Sequence, residues 1–343
     1  MPGRPMTIMH SGLVTSVGLS APSACAAIRA GVTNHTETRF MSNGEWLLGA
    51  QVLLEQPWRG RAKLVRMLAM AVQECLAPFD APPPRALPLL LCVAEQARPG
   101  RLDGLDTLLL GELEDAGGIE FHPELSGTIP KGRVGVAVAL GRARQLMYEH
   151  TVSHVLVAAA DSLLVGPTLT GFEAEGRLLT LQNSDGFVPG EAAGAVMLAR
   201  FPGSGPHLDC LGLGFGVERS ATNPDVPLRG DGLTHAIKQS LADAGCTKYD
   251  LDFRITDNSG EQYYFKEAAL ALSRSLRQRK EEFDIWHPAD CIGETGAAIS
   301  VAALAVALAA SRKAYAVGPN VLCHLGSDLG ERAAAVLRYR EPA

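Results

Sequence analysis

Short apolar runs alternate along the chain with longer amphipathic or Ala-rich stretches. Apolar runs between turn-forming residues are typical of buried strands, whereas apolar positions three and four residues apart indicate helices. The pattern predicts strands over residues 7–14, 87–93, 155–159, 194–200, 208–215, 251–255, 321–325 and 333–339. It predicts helices over residues 20–30, with Ser20 as N-cap and Gly31 as C-cap, and over 61–76, 134–150, 232–244, 261–279 and 297–310. Strands that alternate with helices in this way indicate an α/β fold.

The Phe201-Pro-Gly-Ser-Gly-Pro206 segment is the clearest linker, because Pro and Gly interrupt both helices and strands. A second, rigid connector is predicted at residues 82–84, which are all proline. The order of elements before the linker returns after it, although the residues themselves are not repeated. We therefore expect two similar halves, residues 1–202 and 207–343, tightly packed as one unit.

Composition narrows the class of function. Of the 343 residues, 47% are hydrophobic and 20% are charged, as in folded globular proteins. A net charge of -6 argues against nucleic-acid binding and against attraction to anionic membranes. The apolar runs at 87–93 and 297–310 are too short to span a bilayer, and the first residues do not resemble a signal peptide. We expect a cytoplasmic protein that binds neither nucleic acid nor membrane.

The usual sequence signs of a metal or nucleotide site are missing. The seven cysteines are scattered without a Cys-x-x-Cys pair, and the nine histidines lack metal-ligand spacing. There is no P-loop and no Gly-x-Ser-x-Gly motif. The GLGFG segment at residues 212–216 lacks the last glycine of the dinucleotide fingerprint. We therefore expect no metal ion and no cofactor.

Several segments resemble the β-ketoacyl synthases, in the order in which that family has them. The GLVTSVG segment at 12–18 is similar to the family's opening, and VLVAAADS at 155–162 to a strand with an acidic turn. The DGFVPGEAAG segment at 185–194 is the most specific match. GETGAA at 293–298 resembles the start of the helix that follows the second catalytic histidine.

This resemblance implies the thiolase-like, five-layered αβαβα fold with two similar halves, and a homodimer that pairs through the first half. It also implies a catalytic mechanism that requires three particular residues. An active synthase carries the acyl group on a cysteine at the start of a buried helix, and two histidines assist decarboxylation of a malonyl thioester. The helix N-terminus lowers the pKa of the thiol, and its amides help to form the oxyanion hole.

The residues at these three places differ from the family's. The nucleophile position falls near Arg133, and no cysteine lies between Cys92 and Cys210. The histidine positions fall near Asn258 and Asp290. The candidate pocket residues are Arg133, Asn258, Ser259, Asp290, Cys291 and Glu294. Asp185, Gly186 and Glu191 match framework positions of the family.

Each candidate also has a plainer interpretation. Arg133 either holds an anionic ligand or is an exposed or interface side chain, and its charge opposes the helix dipole. Asn258 and Asp290 either face a pocket or serve as loop and capping residues. Glu294 lies in the first turn of a helix, where a carboxylate is favoured in any case. Cys291 is the best remaining thiol, although a buried structural cysteine explains it more simply.

Three functions remain open from the sequence. The first is a non-condensing thiolase-fold protein that acts as a partner, adaptor or chaperone-like subunit. Its own partner would be an acyl-carrier protein or, by analogy with degenerate thiolase-like proteins of bacteria, a secretion effector. The second is an acyl-thioester enzyme, an acyltransferase or decarboxylase, that uses Asn258, Asp290 and Cys291. The third is a true 3-oxoacyl synthase with its nucleophile elsewhere. We favour the first, because the helix start has no cysteine.

Overall fold

The computed structural model describes residues 4–42, 44–79, 87–150, 152–200, 205–223, 225–276 and 280–341. The strands are β1 (Met6–Val14), β2 (His35–Ser42), β3 (Glu45–Ala50), β4 (Leu89–Val93), β5 (Gly127–Pro130), β6 (His154–Ser162), β7 (Glu191–Ala199), β8 (His207–Val217), β9 (Phe253–Thr256), β10 (Ile285–Trp286), β11 (Asn320–Gly326) and β12 (Glu331–Arg340). The helices are α1 (Ala21–Arg29), α2 (Gly60–Leu76), α3 (Leu109–Gly117), α4 (Gly135–Glu149), α5 (Gly166–Ala174), α6 (Asp231–Ala244), α7 (Gln262–Ser275), α8 (Ala289–Ile292) and α9 (Ala298–Arg312).

Two groups of five strands share one topology. The hydrogen-bonded order is β10-β9-β11-β12-β8-β1-β7-β6-β4-β5. In the first half β1, β7 and β6 pair antiparallel, and β6, β4 and β5 pair parallel. In the second half β8, β12 and β11 pair antiparallel, and β11, β9 and β10 pair parallel. The halves meet where residues 6–8 of β1 pair antiparallel with residues 208–210 of β8.

The helices complete five layers. Apolar side chains of α2 and α3 pack on the outer face of the first half, and those of α6 and α7 on the outer face of the second. Between the halves, α4 and α9 share one buried core with strands from both. α9 is apolar on every side because it lies in this central layer. The predicted thiolase-like αβαβα fold with two similar halves is confirmed.

A stripe of glycines lets α6 lie directly on β8. A Cβ atom at Gly214 would lie 2.0 Å from the backbone oxygen of Ala236 in α6, and one at Gly212 would lie 2.2 Å from that of Ser240. In the first half, a Cβ at Gly12 of β1 would lie 1.9 Å from the backbone oxygen of Ala71 in α2. The two halves therefore use the same close contact between strand and helix, and this packing explains the GLGFG segment.

The predicted long elements all exist, and the differences lie at ends and edges. Ser20 caps α1 as predicted, accepting a hydrogen bond from the amide of Ser23, but the C-cap is Ala30 rather than Gly31. α7 ends at Ser275, where the chain becomes extended at Leu276. The predicted connector at 82–84, residues 277–279 of that predicted helix and residues 201–204 of the linker lie outside the described residues.

The hydrophobic pattern of the sequence does not predict β2, β3, β5, β10, α3, α5 and α8.

No described helix is both long enough and apolar enough to cross a membrane.

Candidate functional site

Arg133 lies inside the protein, directly before the central helix α4. It belongs to a short 3-10 turn, Gly132–Val134, and only 6% of it is exposed. Its backbone carbonyl accepts a hydrogen bond from the hydroxyl of Ser300 in α9. The turn is therefore held against both central helices, and of the interpretations that the sequence left open for Arg133, an exposed side chain is ruled out.

The guanidinium group of Arg133 is surrounded by three carboxylates. Its Nη2 lies 2.5 Å from Asp328 Oδ1, its Nη1 3.4 Å from Glu294 Oε2, and its Nε 3.8 Å from Asp257 Oδ2. The ring of Tyr264 lies against it, with its centroid 4.5 Å from Cζ. Arg133 therefore lies close to three acidic groups at once. We call Arg133, Asp257, Tyr264, Glu294 and Asp328 the Arg133 cluster.

The carboxylates of the cluster differ in how tightly they hold a proton. Burial raises the pKa of Glu294 to about 7, and the charge of Arg133 offsets this only in part. Burial also raises the pKa of Asp257. Burial has the same tendency at Asp328, but Arg133 and Arg177 outweigh it and hold that pKa well below its usual range. Glu294 therefore titrates near pH 7, whereas Asp328 stays ionised there.

The surrounding hydrogen bonds fix the Glu294 side chain. The hydroxyl of Ser259, in the loop after β9, donates to Oε2 over 2.8 Å. The backbone N–H of Gly296 donates to Oε1 over 2.9 Å. Ser259 and Glu294, which the sequence proposed as pocket residues, are therefore brought together beside Arg133.

Two further arginines extend this charged interior. Arg177 donates to Asp328 Oδ2 over 2.9 Å and to Glu261 Oε1 over 2.8 Å. Arg98 donates to Glu95 Oε1 over 2.7 Å, and its Nη1 lies 3.2 Å from Asp161 Oδ2. Ion pairs thus join segments of both halves around the start of α4.

Almost no open space remains at this place. Arg98, Arg133 and Arg177 all border the same cavity, whose volume is about 10 Å³. That is roughly the room required for a single water molecule. An acyl chain or a thioester does not fit there unless the ion pairs separate.

Solved structures resemble almost the whole chain. A chain of AntDE:AntF, a type II polyketide synthase acyl-carrier protein in complex with its ketosynthase, matches with a TM-score of 0.78 and 16% identity, covering 98% of this chain and 100% of that one. A chain of the Xenorhabdus doucetiae ketosynthase ApeO in complex with its chain length factor ApeC matches with a TM-score of 0.73 and 14% identity, covering 98% of each. This chain has the thiolase-type fold of the ketosynthases.

A ketosynthase from module 6 of the bacillaene synthase of Bacillus subtilis 168 has the same fold. Its TM-score is 0.73 at 11% identity, with coverage of 98% of this chain and 72% of that one. No family model and no curated protein matches the sequence. At these identities the ketosynthase fold is shared, and the chemistry of this chain has to be argued from its own residues.

Within the ketosynthase fold, Asp290 and Cys291 lie apart from the Arg133 cluster. The side chain of Asp290 is 59% exposed, and its carboxylate lies 2.7 Å from Nδ1 of His287. The thiol of Cys291 lies 3.8 Å from the backbone oxygen of Ile28, and burial and the charge of Asp290 raise its pKa. Both residues border a separate groove, so the single pocket expected from the sequence is divided in two.

Asn258 is buried close to the Arg133 cluster but does not line either of these two pockets. It is buried in the loop after β9, next to Asp257 and Ser259 of the site, and its Oδ1 accepts a hydrogen bond from the hydroxyl of Thr256 over 3.2 Å. Its Nδ2 is buried and has no hydrogen-bond partner among the described residues. It borders neither the small cavity nor the groove of Asp290 and Cys291.

Cys92 of β4 is the thiol packed against the first turn of α4. A Cβ atom at Gly135 would lie 3.3 Å from the Cβ of Cys92 and 3.7 Å from its sulfur. Cys92 is fully buried, and burial raises its pKa strongly. The thiolate is the reactive form of cysteine, so this position disfavours nucleophilic chemistry.

The three framework candidates connect elements of the ketosynthase fold. Asp185 Oδ1 accepts a hydrogen bond from the backbone N–H of Gln262, the first residue of α7, over 2.7 Å. A Cβ at Gly186 would lie 2.6 Å from the backbone of Leu178. Glu191 accepts from the Ser162 hydroxyl over 2.9 Å and forms an ion pair with Lys63. Each of the three residues therefore contacts a segment that is distant in the sequence or in another element, which is what a framework residue does.

Sequence reasoning misses Asp257 and Asp328 beside Arg133. Asp257 directly precedes Asn258, so an acidic residue next to a position matched to the family is the usable signal there. Arg98 and Arg177 lie in loops without a motif, and only the folded structure shows that they point to the same cavity.

Proposed function

We propose that this ketosynthase-fold chain is a non-condensing subunit that acts through a protein partner. The observation that carries the proposal is the Arg133 cluster, which occupies the start of α4 with one guanidinium and three carboxylates. In the resemblance described above, this is where a synthase holds its nucleophile. A guanidinium is always protonated and has no lone pair with which to attack a thioester.

The surroundings of Arg133 also disfavour covalent acyl transfer. Covalent acyl transfer requires a nucleophile, a base that activates it and room for the acyl group. The cavity of about 10 Å³ supplies no such room. The ionised carboxylate of Asp328 would raise the pKa of any thiol placed there. The geometry therefore favours a structural role for this interior.

The partner that we propose is a second thiolase-fold chain. One similar structure is a ketosynthase in complex with its chain length factor, and we propose a pairing for this chain by analogy with that complex. Among the described residues, β5 is the last strand on its side of the sheet, and it pairs only with β4. The unpaired edge of such a strand offers backbone groups to a strand of another chain. The homodimer, the acyl-carrier protein and the secretion effector expected from the sequence are competing partners.

The acyl-thioester alternative has less support. It needs Asn258, Asp290 and Cys291 around one substrate, but Asp290 and Cys291 border a groove that Asn258 does not border. The raised pKa of Cys291 also reduces its thiolate fraction.

The partner is tested by isolating the chain from its native host at natural expression level and measuring the mass of the intact particle. We expect a complex that contains one further thiolase-fold chain. A stable particle composed of this chain alone would favour the homodimer and contradict the proposed pairing.

The absence of condensation is tested by intact-mass spectrometry after incubation with acyl-CoA and with acyl-loaded carrier protein. We expect no added acyl mass. The Cys291→Ser variant is the matched control, since an adduct that forms on the unsubstituted chain and disappears in this variant would establish the acyl-thioester alternative instead.

A further inference from the structure

An aromatic groove opens away from the Arg133 cluster, between the end of α1, β10, α8 and α9. Its volume is about 640 Å³. The rings of Trp286 and Tyr315 border it, with planes 20° from parallel and centroids 6.3 Å apart. Phe253 packs on Trp286 with a centroid distance of 4.4 Å. A volume of about 300–1,000 Å³ is usual for sites that bind small molecules. We call this space the Trp286 groove.

Arg29 gives the Trp286 groove a positive end. Its guanidinium carbon lies 4.2 Å from the centroid of the Tyr315 ring, and the residue borders the groove. Within the described part of the chain, Arg29 forms no ion pair, and the Asp290 carboxylate, which also borders the groove, is bonded to His287. A cation that is held against an aromatic ring and is not in an ion pair is suited to bind an anion.

We propose that the Trp286 groove binds a planar aromatic molecule that carries an anionic group. The ring of the ligand packs against Trp286 and Tyr315, where offset stacking adds to burial of apolar area. The anionic group pairs with Arg29, which fixes the orientation of the ligand. This inference is independent of the proposed partner function, because the groove shares no residue with the Arg133 cluster.

The probes are anilinonaphthalene sulfonate and N-phenylnaphthylamine, which have the same rings with and without the anionic group. The chain has three tryptophans, Trp46, Trp58 and Trp286, so energy transfer from tryptophan to bound probe reports the site. We expect saturable binding of the sulfonate, with transfer that is mostly lost in Trp286→Phe and retained in Trp58→Phe. Trp58 borders a different pocket and is the matched control.

The proposed pairing of the Arg29 guanidinium with the anionic group of the ligand is tested with Arg29→Met. We expect the dissociation constant of the sulfonate to rise about tenfold, and that of the uncharged probe to stay within about twofold, because only the first has a charge-assisted contact to lose. Arg142→Met, on the exposed side of α4, should change neither value. In the unsubstituted protein, added NaCl should weaken binding of the sulfonate and not of the uncharged probe.

Several results would overturn the proposal. One is the absence of saturable sulfonate binding, and another is transfer that disappears in Trp58→Phe rather than in Trp286→Phe. An unchanged sulfonate affinity in Arg29→Met, or an equal loss for both probes, would refute recognition by charge. The salt comparison decides the same point if Arg29→Met does not fold.

Discussion

The Arg133 guanidinium lies 2.5 Å from the carboxylate of Asp328, and this pair connects the turn before α4 to the loop between β11 and β12. The same carboxylate accepts hydrogen bonds from Arg177, which follows α5. Asp328 therefore ties together two segments of the first half and one of the second. Because Arg133 is buried, the removal of Asp328 leaves a cation that is largely shielded from water.

Arg133→Met should destabilise the protein. We expect the free energy of unfolding in urea to fall by about 3–5 kcal/mol at neutral pH, because the substitution leaves buried carboxylates without their cation. The control Arg142→Met removes an exposed arginine from the adjoining helix and should change stability by less than about 0.5 kcal/mol. If the two variants were equally stable, the cluster would not contribute to the fold.

Glu294→Gln should change how stability depends on pH. Burial raises the pKa of Glu294 from 4.5 to about 7, so the folded chain binds this proton more tightly than the unfolded chain does. The stability that Glu294 contributes therefore decreases as pH rises from about 4.5 to about 7. Between pH 5 and pH 8, this decrease amounts to about 2.5 kcal/mol and should be missing in the variant.

The measurement is urea unfolding of both chains at several pH values. Glu45→Gln, which removes an exposed carboxyl group, serves as the control and should retain the slope of the unsubstituted protein. Parallel curves for Glu294→Gln and the unsubstituted chain would show that the Glu294 pKa is close to that of the unfolded state.

Gly214→Ala should be poorly tolerated. The new methyl group would lie 2.0 Å from the backbone oxygen of Ala236, and neither the strand nor the helix backbone can easily retreat. We expect a loss of about 3 kcal/mol or failure to fold, as for other overpacked cores. Gly111→Ala in α3 meets no atom within 4 Å and should raise stability by up to about 1 kcal/mol. Similar thermal midpoints for the two variants would contradict close packing of α6 on β8.

Asp185→Ala should weaken the start of α7. Asp185 accepts a hydrogen bond from the amide of Gln262, and a carboxylate is favoured at the N-terminus of a helix. We expect a loss of about 1 kcal/mol and faster hydrogen exchange of the Gln262 amide. Asp185→Asn retains an oxygen acceptor and should lose less. An unchanged exchange rate in both variants would show that this bond is not formed in solution.

The strands that are buried on both faces can be predicted from the sequence because their environment is uniform. The apolar run at 87–93 contains β4, which is completely buried. The neighbouring strand β5 has only half-buried residues and ends at Pro130, so no pattern distinguishes it from a loop. β10 has two residues and exists only because β9 pairs with it. Such elements depend on tertiary contacts, which lie outside any local pattern.

At the site, the sequence indicates Arg133, the loop of Asn258 and both Asp290 and Glu294, but only Glu294 of these two acidic residues lies beside Arg133. The short helix α8 leaves Asp290 exposed to solvent. Gly293 then adopts a φ of 71°, a backbone conformation that suits glycine, and the chain turns inward. Glu294 enters the cluster at that point. A local change of backbone direction therefore decides which acidic residue faces Arg133.

The three carboxylates around Arg133 also determine how this position can change over evolutionary time. If a small or thiol-bearing residue replaced Arg133 alone, Asp257, Glu294 and Asp328 would remain close together without their shared cation. Substitutions at these positions are therefore strongly non-additive, and each is acceptable only in certain orders. A mutational route that places a small or thiol-bearing residue before α4 therefore has to change the surrounding carboxylates together with Arg133.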